Sequence, residues 1–171
     1  MEETRELAEQ LQSRLVDAGQ RLAVAESSTG GLVGSTITDI PGSSDYFDRS
    51  LVTYSNEAKM DLLGVEQATL EAVGAVSAET AQQMAEGVRA GADCTWGLST
   101  TGIAGPSGGT DEKPVGTVFI GVAYHGENKR VSATRYEFDG PRLACKEQFA
   151  QQAFRDLLDA VESQLDDTGA Q

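Results

Sequence analysis

The sequence predicts a three-layer α/β/α sandwich around a mixed, mostly parallel sheet, built as one domain over residues 1–171. Two observations carry this. Apolar runs of strand length alternate with segments of helical spacing over the first hundred residues, which places helices on both faces of a parallel sheet. Two further strand-like runs, 114–125 and 129–139, are joined by the short turn HGEN, a hairpin that makes the sheet mixed. No Pro- and Ser-rich break divides the chain, and 171 residues with 39% hydrophobic content bury one sizeable core.

Residues 3–18 set Leu7, Leu11 and Leu15 four apart beside Ala8 and Val16, an amphipathic helix that ends near Gly19. RLAVAES (21–27) reads as a buried strand, and STGGLVGSTITDI turns through Gly30 and Gly31 into a helix. SLVTYS (50–55) is the next strand, followed by SNEAKMDLLG, which has a Ser or Asn cap, an apolar face and a closing Gly64. Residues 66–74 and 77–91 form two more helices, and ADCTWGLST (92–100) returns to strand. Glycine-rich TTGIAGPSGGTDEKP then leads into the hairpin. A helix over 142–165, with Leu143, Phe149, Ala153, Leu157 and Val161 in its apolar stripe, closes a core of about 5–162 ahead of a short acidic tail.

Thirteen basic against 27 acidic residues give a net charge of −14, a field that repels phosphate backbones and disfavours nucleic acid as a partner. The acids are spread along the chain, which reads as solvated faces suited to a salt-rich cytosol where screening weakens self-repulsion. The amino terminus lacks the apolar core of a secretory signal, and no run approaches a membrane span, so the expected location is cytoplasmic, with no membrane partner. Cys94 and Cys145 read as buried free thiols, with no metal site.

Ligands of such sheets gather at the carboxyl ends of the strands. Three loops qualify: 26–31, part of 41–59, and 99–113. AESSTGG follows a strand and opens a helix, so its amides can bind an anion or a developing oxyanion, or it is simply a tight turn. Glu26 there accepts from a ligand or caps the helix. STTGIAGPSGG (99–109) lets backbone approach a ligand closely, unless it is a linker. PGSSDYFDRSLVTYSNEAK (41–59) holds four serines and Lys59. The one histidine, His125, falls in a turn, so a nucleophilic serine here needs another base. A buried lysine near a helix's positive end can serve, with Tyr54 between hydroxyl and amine. The alternative is Ser44 as an N-cap and Lys59 as an exposed helical residue.

AESSTGG, GSSDYFDRSLVTYSNEAK, GAVS and TGIAGPSGGTDEKPVGTVFIG resemble, in order and spacing, the CinA carboxyl-terminal domain family, which includes nicotinamide mononucleotide amidohydrolases. The resemblance spans roughly residues 5–162 and implies the stand-alone form, without the larger nucleotide-hydrolysing amino-terminal domain. It implies hydrolysis of the carboxamide of nicotinamide mononucleotide to nicotinic acid mononucleotide and ammonia, with no metal or organic cofactor. Carried over by motif, Ser44 is the nucleophile, Lys59 the base and Tyr54 the relay. The substrate is placed among Glu26, Ser27, Thr29, Gly30, Asn56, Thr101, Gly102 and Gly105, with Arg142 on the nucleotide phosphate. The expected partners are a small pyridine nucleotide and further copies of the chain. Two other functions stay open: a non-catalytic nucleotide-sensing or partner-binding module, and the same acyl chemistry on another carboxamide.

Overall fold

The computed structural model describes residues 1–169. Helix α1 (Glu2–Ala18) leads into β1 (Leu22–Glu26) and α2 (Leu32–Thr38). A 3₁₀ turn (Ser43–Asp45) precedes β2 (Phe47–Val52), α3 (Asn56–Leu63), α4 (Gln67–Val73) and α5 (Ala78–Ala92). Strands β3 (Trp96–Gly102), β4 (Thr117–His125) and β5 (Lys129–Glu137) follow, and α6 (Arg142–Gly169) completes the fold.

The sheet order is β2-β1-β3-β4-β5. The β1 ladders to β2 and β3 are parallel and the β3–β4 and β4–β5 ladders antiparallel, so β4 alone runs against the other four strands. The two-residue period of the strands sorts the core into two layers. Leu22, Val24, Trp96 and Leu98 pack with Leu11, Phe149, Phe154 and Leu157 of α1 and α6. Ala23 and Ala25 pack instead with Met84 and Val88 of α5 and Leu63 of α3.

Small residues set how closely α5 lies on the sheet. A Cβ at Gly97 would stand 2.1 Å from the Ala85 carbonyl oxygen, and one at Gly121 2.3 Å from that of Ala81. Ser99 Oγ donates to the same Ala81 oxygen at 2.6 Å. The tight seat fixes the β3 end that carries the glycine-rich loop.

Several boundaries differ from expectation, three of them for identifiable reasons. Strand β2 pairs from Phe47 to Val52, earlier than the 50–55 run, because Ser55 is taken up as the N-cap of α3. Strand β3 starts at Trp96 and not at residue 92, since Asp93 closes α5 in a left-handed conformation, and it extends to Gly102 through pairing with Val118. The acidic segment expected as a tail continues α6 to Gly169. Both cysteines are buried and free. Among the described residues no helix is long and apolar enough to cross a membrane, and no His/Cys/Asp/Glu group is arranged to hold a metal ion.

Candidate active site

At the carboxyl ends of β1, β2 and β3 the three sequence motifs converge on one cavity of about 280 Å³. Ser27 and Ser28 come from the end of β1; Tyr54, Asn56 and Lys59 from the β2–α3 segment; and Thr101, Gly102 and Gly105 from β3 and its loop. Arg142, the first residue of α6, closes one side.

Ser55 Oγ accepts the Ala58 amide at 3.0 Å and so fixes the first turn of α3, where Lys59 sits. Its side chain folds back over the strand ends and is 1% exposed. Lys59 Nζ lies 3.1 Å from Ser27 Oγ, and it donates to the carbonyl oxygens of Thr53 at 2.9 Å and Tyr54 at 3.3 Å. None of these three partners is a carboxylate, and burial lowers the pKa of the amine below the ordinary lysine value. Ser27 is equally fixed: its amide donates to the Thr100 oxygen at 3.0 Å and its carbonyl accepts from Gly30 at 3.1 Å.

The serine facing Lys59 is therefore Ser27, and the placement of Ser44 as its partner is corrected. Ser44 is exposed in the 3₁₀ turn ahead of β2, and Phe47 opens that strand opposite Leu22, at the amino ends. The length of β2, about 17 Å at strand rise, separates that end from Lys59. Among the described residues no hydrogen bond joins the Tyr54 hydroxyl to Ser27 or Lys59 either. That hydroxyl accepts from Arg142 Nη2 at 3.3 Å at the cavity rim, whereas Lys59 Nζ reaches Ser27 directly.

Glu26 is a structural anchor and does not line the cavity. Fully buried, its Oε1 accepts from Thr29 Oγ1 (2.7 Å) and the amides of Gly31 (3.2 Å) and Val33 (2.8 Å), while Oε2 accepts from Gly34 N (3.0 Å) and Ser50 Oγ (2.6 Å). The carboxylate caps α2 and neutralises its positive end. Thr29 is fully buried in the same network, with its hydroxyl also 2.8 Å from that of Thr100. Gly30 turns the chain at a φ of 60° beside Lys146 and does not line the cavity.

Asn56, Thr101, Gly102, Gly105 and Arg142 do line it. Arg142 Nη1 donates to the Gly105 carbonyl at 2.7 Å, which ties α6 to the glycine-rich loop. Sequence reasoning missed Ser28, Ala75 and Val76. Ser28 is 7% exposed with no partner for its hydroxyl, and GAVS, quoted above as a motif, was the available signal for the other two.

A family model for the CinA C-terminal domain matches residues 4–161. The chain belongs to the CinA C-terminal domain family. It is 52% identical over 156 residues to a CinA-like protein of Chlorobaculum tepidum, covering 89% of this chain and 36% of that one. Against a CinA-like protein of Desulfosudis oleivorans it is 62% identical over 109 residues, covering 64% and 26%. The chain thus spans about a third or less of the curated relatives it matches first. The crystal structure of competence/damage inducible protein CihA from Agrobacterium tumefaciens superposes with a TM-score of 0.88 at 38% identity, over 94% of this chain and 96% of that one. A CinA superfamily protein of Klebsiella pneumoniae 700603 gives 0.88 at 31% identity, over 94% and 98%.

The charge pattern of this CinA domain is uneven. Among the described residues, nine of the 13 basic side chains lie within 4.0 Å of a carboxylate. The four that do not are Lys59, Lys113, Arg142 and Lys146. Lys59 and Arg142 line the cavity, Lys113 Nζ donates to the Val73 carbonyl at 2.9 Å near the Ala75 turn, and Lys146 stands beside Gly30. No Asp or Glu lines the cavity. A strongly acidic chain has kept one mouth free of acid, which suits an anionic ligand.

Proposed function

We propose that this CinA domain hydrolyses the carboxamide of nicotinamide mononucleotide, with Ser27 as nucleophile and Lys59 as general base. The observation that carries the reading is the 3.1 Å approach of the buried Lys59 amine to the Ser27 hydroxyl. A neutral amine has two N–H bonds and one lone pair. The Thr53 and Tyr54 carbonyls can accept the two protons, which leaves the lone pair for Ser27.

Lys59 takes the proton of Ser27 as Oγ attacks the carboxamide carbon. The oxyanion needs a donor, and the Ser28 amide, next after the nucleophile, carries no hydrogen bond among the described residues. Collapse of the tetrahedral intermediate breaks the C–N bond, and the Lys59 ammonium gives its proton to the leaving nitrogen, which departs as ammonia. Water then attacks the ester, Lys59 accepts its proton, and that proton returns to Ser27 Oγ as the carboxylate is released. Arg142, with no carboxylate partner, suits the phosphate as a forked donor, and the exposed Tyr54 ring offers its face to the pyridinium charge.

Ammonia release from nicotinamide mononucleotide by the wild-type chain, Ser27→Ala and Lys59→Met tests the reading. Release by the wild type that both substitutions abolish supports it. No release by folded wild-type protein overturns it.

A further inference from the structure

The hydroxyl of Thr101 is locked in one polarity. Thr101 is 1% exposed, and its Oγ1 donates to the Ala75 carbonyl at 2.7 Å; both residues line the cavity. A threonine hydroxyl has one proton, so the Thr101 oxygen can only accept from a ligand. The turn carrying Ala75 is itself pinned, since Ser77 Oγ and Thr80 Oγ1 both donate to the neighbouring Gly74 carbonyl, at 2.9 and 2.8 Å. Swinging the Thr101 hydroxyl toward a ligand would leave the Ala75 oxygen without this donor.

Thr101 also stands beside the nucleophile. The parallel register of β1 and β3 runs from Leu22↔Trp96 to Glu26↔Thr100, and Ser27 N continues it by donating to the Thr100 oxygen. The next step sets Ser27 against Thr101 on the sheet face where Ala23 and Ala25 meet α5. Neighbouring strands lie about 4.8 Å apart, so a carbonyl carbon held at Ser27 Oγ has its substituents within reach of Thr101 Oγ1.

Resting on the carboxamide reading above, we propose that Thr101 is the residue that distinguishes amide from acid. The substrate presents an NH₂ group, which donates to Thr101. The product presents a carboxylate, whose oxygens only accept and meet the lone pairs of the same atom. The unpartnered Ser28 hydroxyl serves the carbonyl oxygen common to both and does not discriminate. Thr101 thus favours entry of the carboxamide and exit of the acid.

Calorimetric titration on the Ser27→Ala protein, which cannot turn over, reads this directly with three mononucleotides: the carboxamide, the carboxylate, and the 3-acetylpyridine analogue with methyl in place of NH₂. The carboxamide binds about tenfold or more tighter than the other two. Adding Thr101→Val shrinks the preference to about threefold or less, and Thr101→Ser retains it. An unchanged preference in Thr101→Val overturns the assignment. Should that variant fail to fold, the acetyl analogue decides on Ser27→Ala alone, and affinity equal to that of the carboxamide overturns it. Binding of none of the three by folded protein overturns the substrate reading itself, and this inference with it.

Discussion

Lys59 Nζ and Ser27 Oγ, 32 positions apart in sequence, lie 3.1 Å apart in a buried site with no carboxylate among the hydrogen-bond partners of the amine. Two motifs that look separate along the chain meet in one buried hydrogen-bonded pair. Replacing either member, Ser27→Ala or Lys59→Arg, lowers kcat/KM by about 10³-fold or more, whereas Ser44→Ala leaves it within about twofold. Steady-state ammonia release on the three variants checks this.

The ionisation of Lys59 sets the pH dependence. Burial places its native pKa below that of an unfolded lysine, about 10.4. The native state therefore releases the proton first, and the rate rises with pH until the amine is neutral. The desolvated ammonium destabilises the fold most below the native pKa, and that cost is relieved as pH rises toward about 10.4. Urea denaturation at pH 7 and pH 9.5 should show wild type gaining stability relative to Lys59→Met, and the kcat/KM profile should show one ascending limb.

Glu26 holds up the Ser27 turn. Both its oxygens are occupied by five donors, so Glu26→Ala removes the partner of three amides and the Ser50 hydroxyl and leaves Thr29 only its contact with Thr100. The expected loss is about 3 kcal/mol or more, equivalent to a Tm drop of about 6–12 °C in a chain of this size. Differential scanning calorimetry measures it, and Glu26→Gln falls less.

Substitution of Arg142 is expected to separate binding from chemistry. The Arg142 fork already spans the Gly105 carbonyl and the Tyr54 hydroxyl at the cavity rim. Arg142→Ala raises KM for the mononucleotide about 10- to 100-fold with kcat changed far less, and leaves KM for the nucleoside lacking phosphate nearly unchanged.

Much of the architecture was legible in the sequence because it rests on local signals. Leu7, Leu11 and Leu15 announce α1, Ser55 and Gly64 bracket α3, and HGEN marks the β4–β5 hairpin. Strand ends were less legible, since pairing with β1 and not composition decides where β2 stops. The pairing of Lys59 was the main failure. Ser44 is nearer in sequence, but a parallel strand carries its two ends to opposite edges of the sheet, and only the register of β1 against β2 shows that Ser27 and Thr53 share the edge beneath Lys59. Glu26 misled for a related reason: a carboxylate at a strand's end suits a ligand or a helix cap equally, and the amides of Val33 and Gly34 had already claimed it.

The central claim is that Ser27 carries the acyl group. Rapid acid quench of the wild-type chain with nicotinamide mononucleotide, followed by peptic mapping and mass spectrometry, locates the ester. The account predicts the acylated nucleotide on the peptide containing Ser27, and none in Ser27→Ala. An adduct on the peptide containing Ser44, or full turnover by Ser27→Ala, would contradict it.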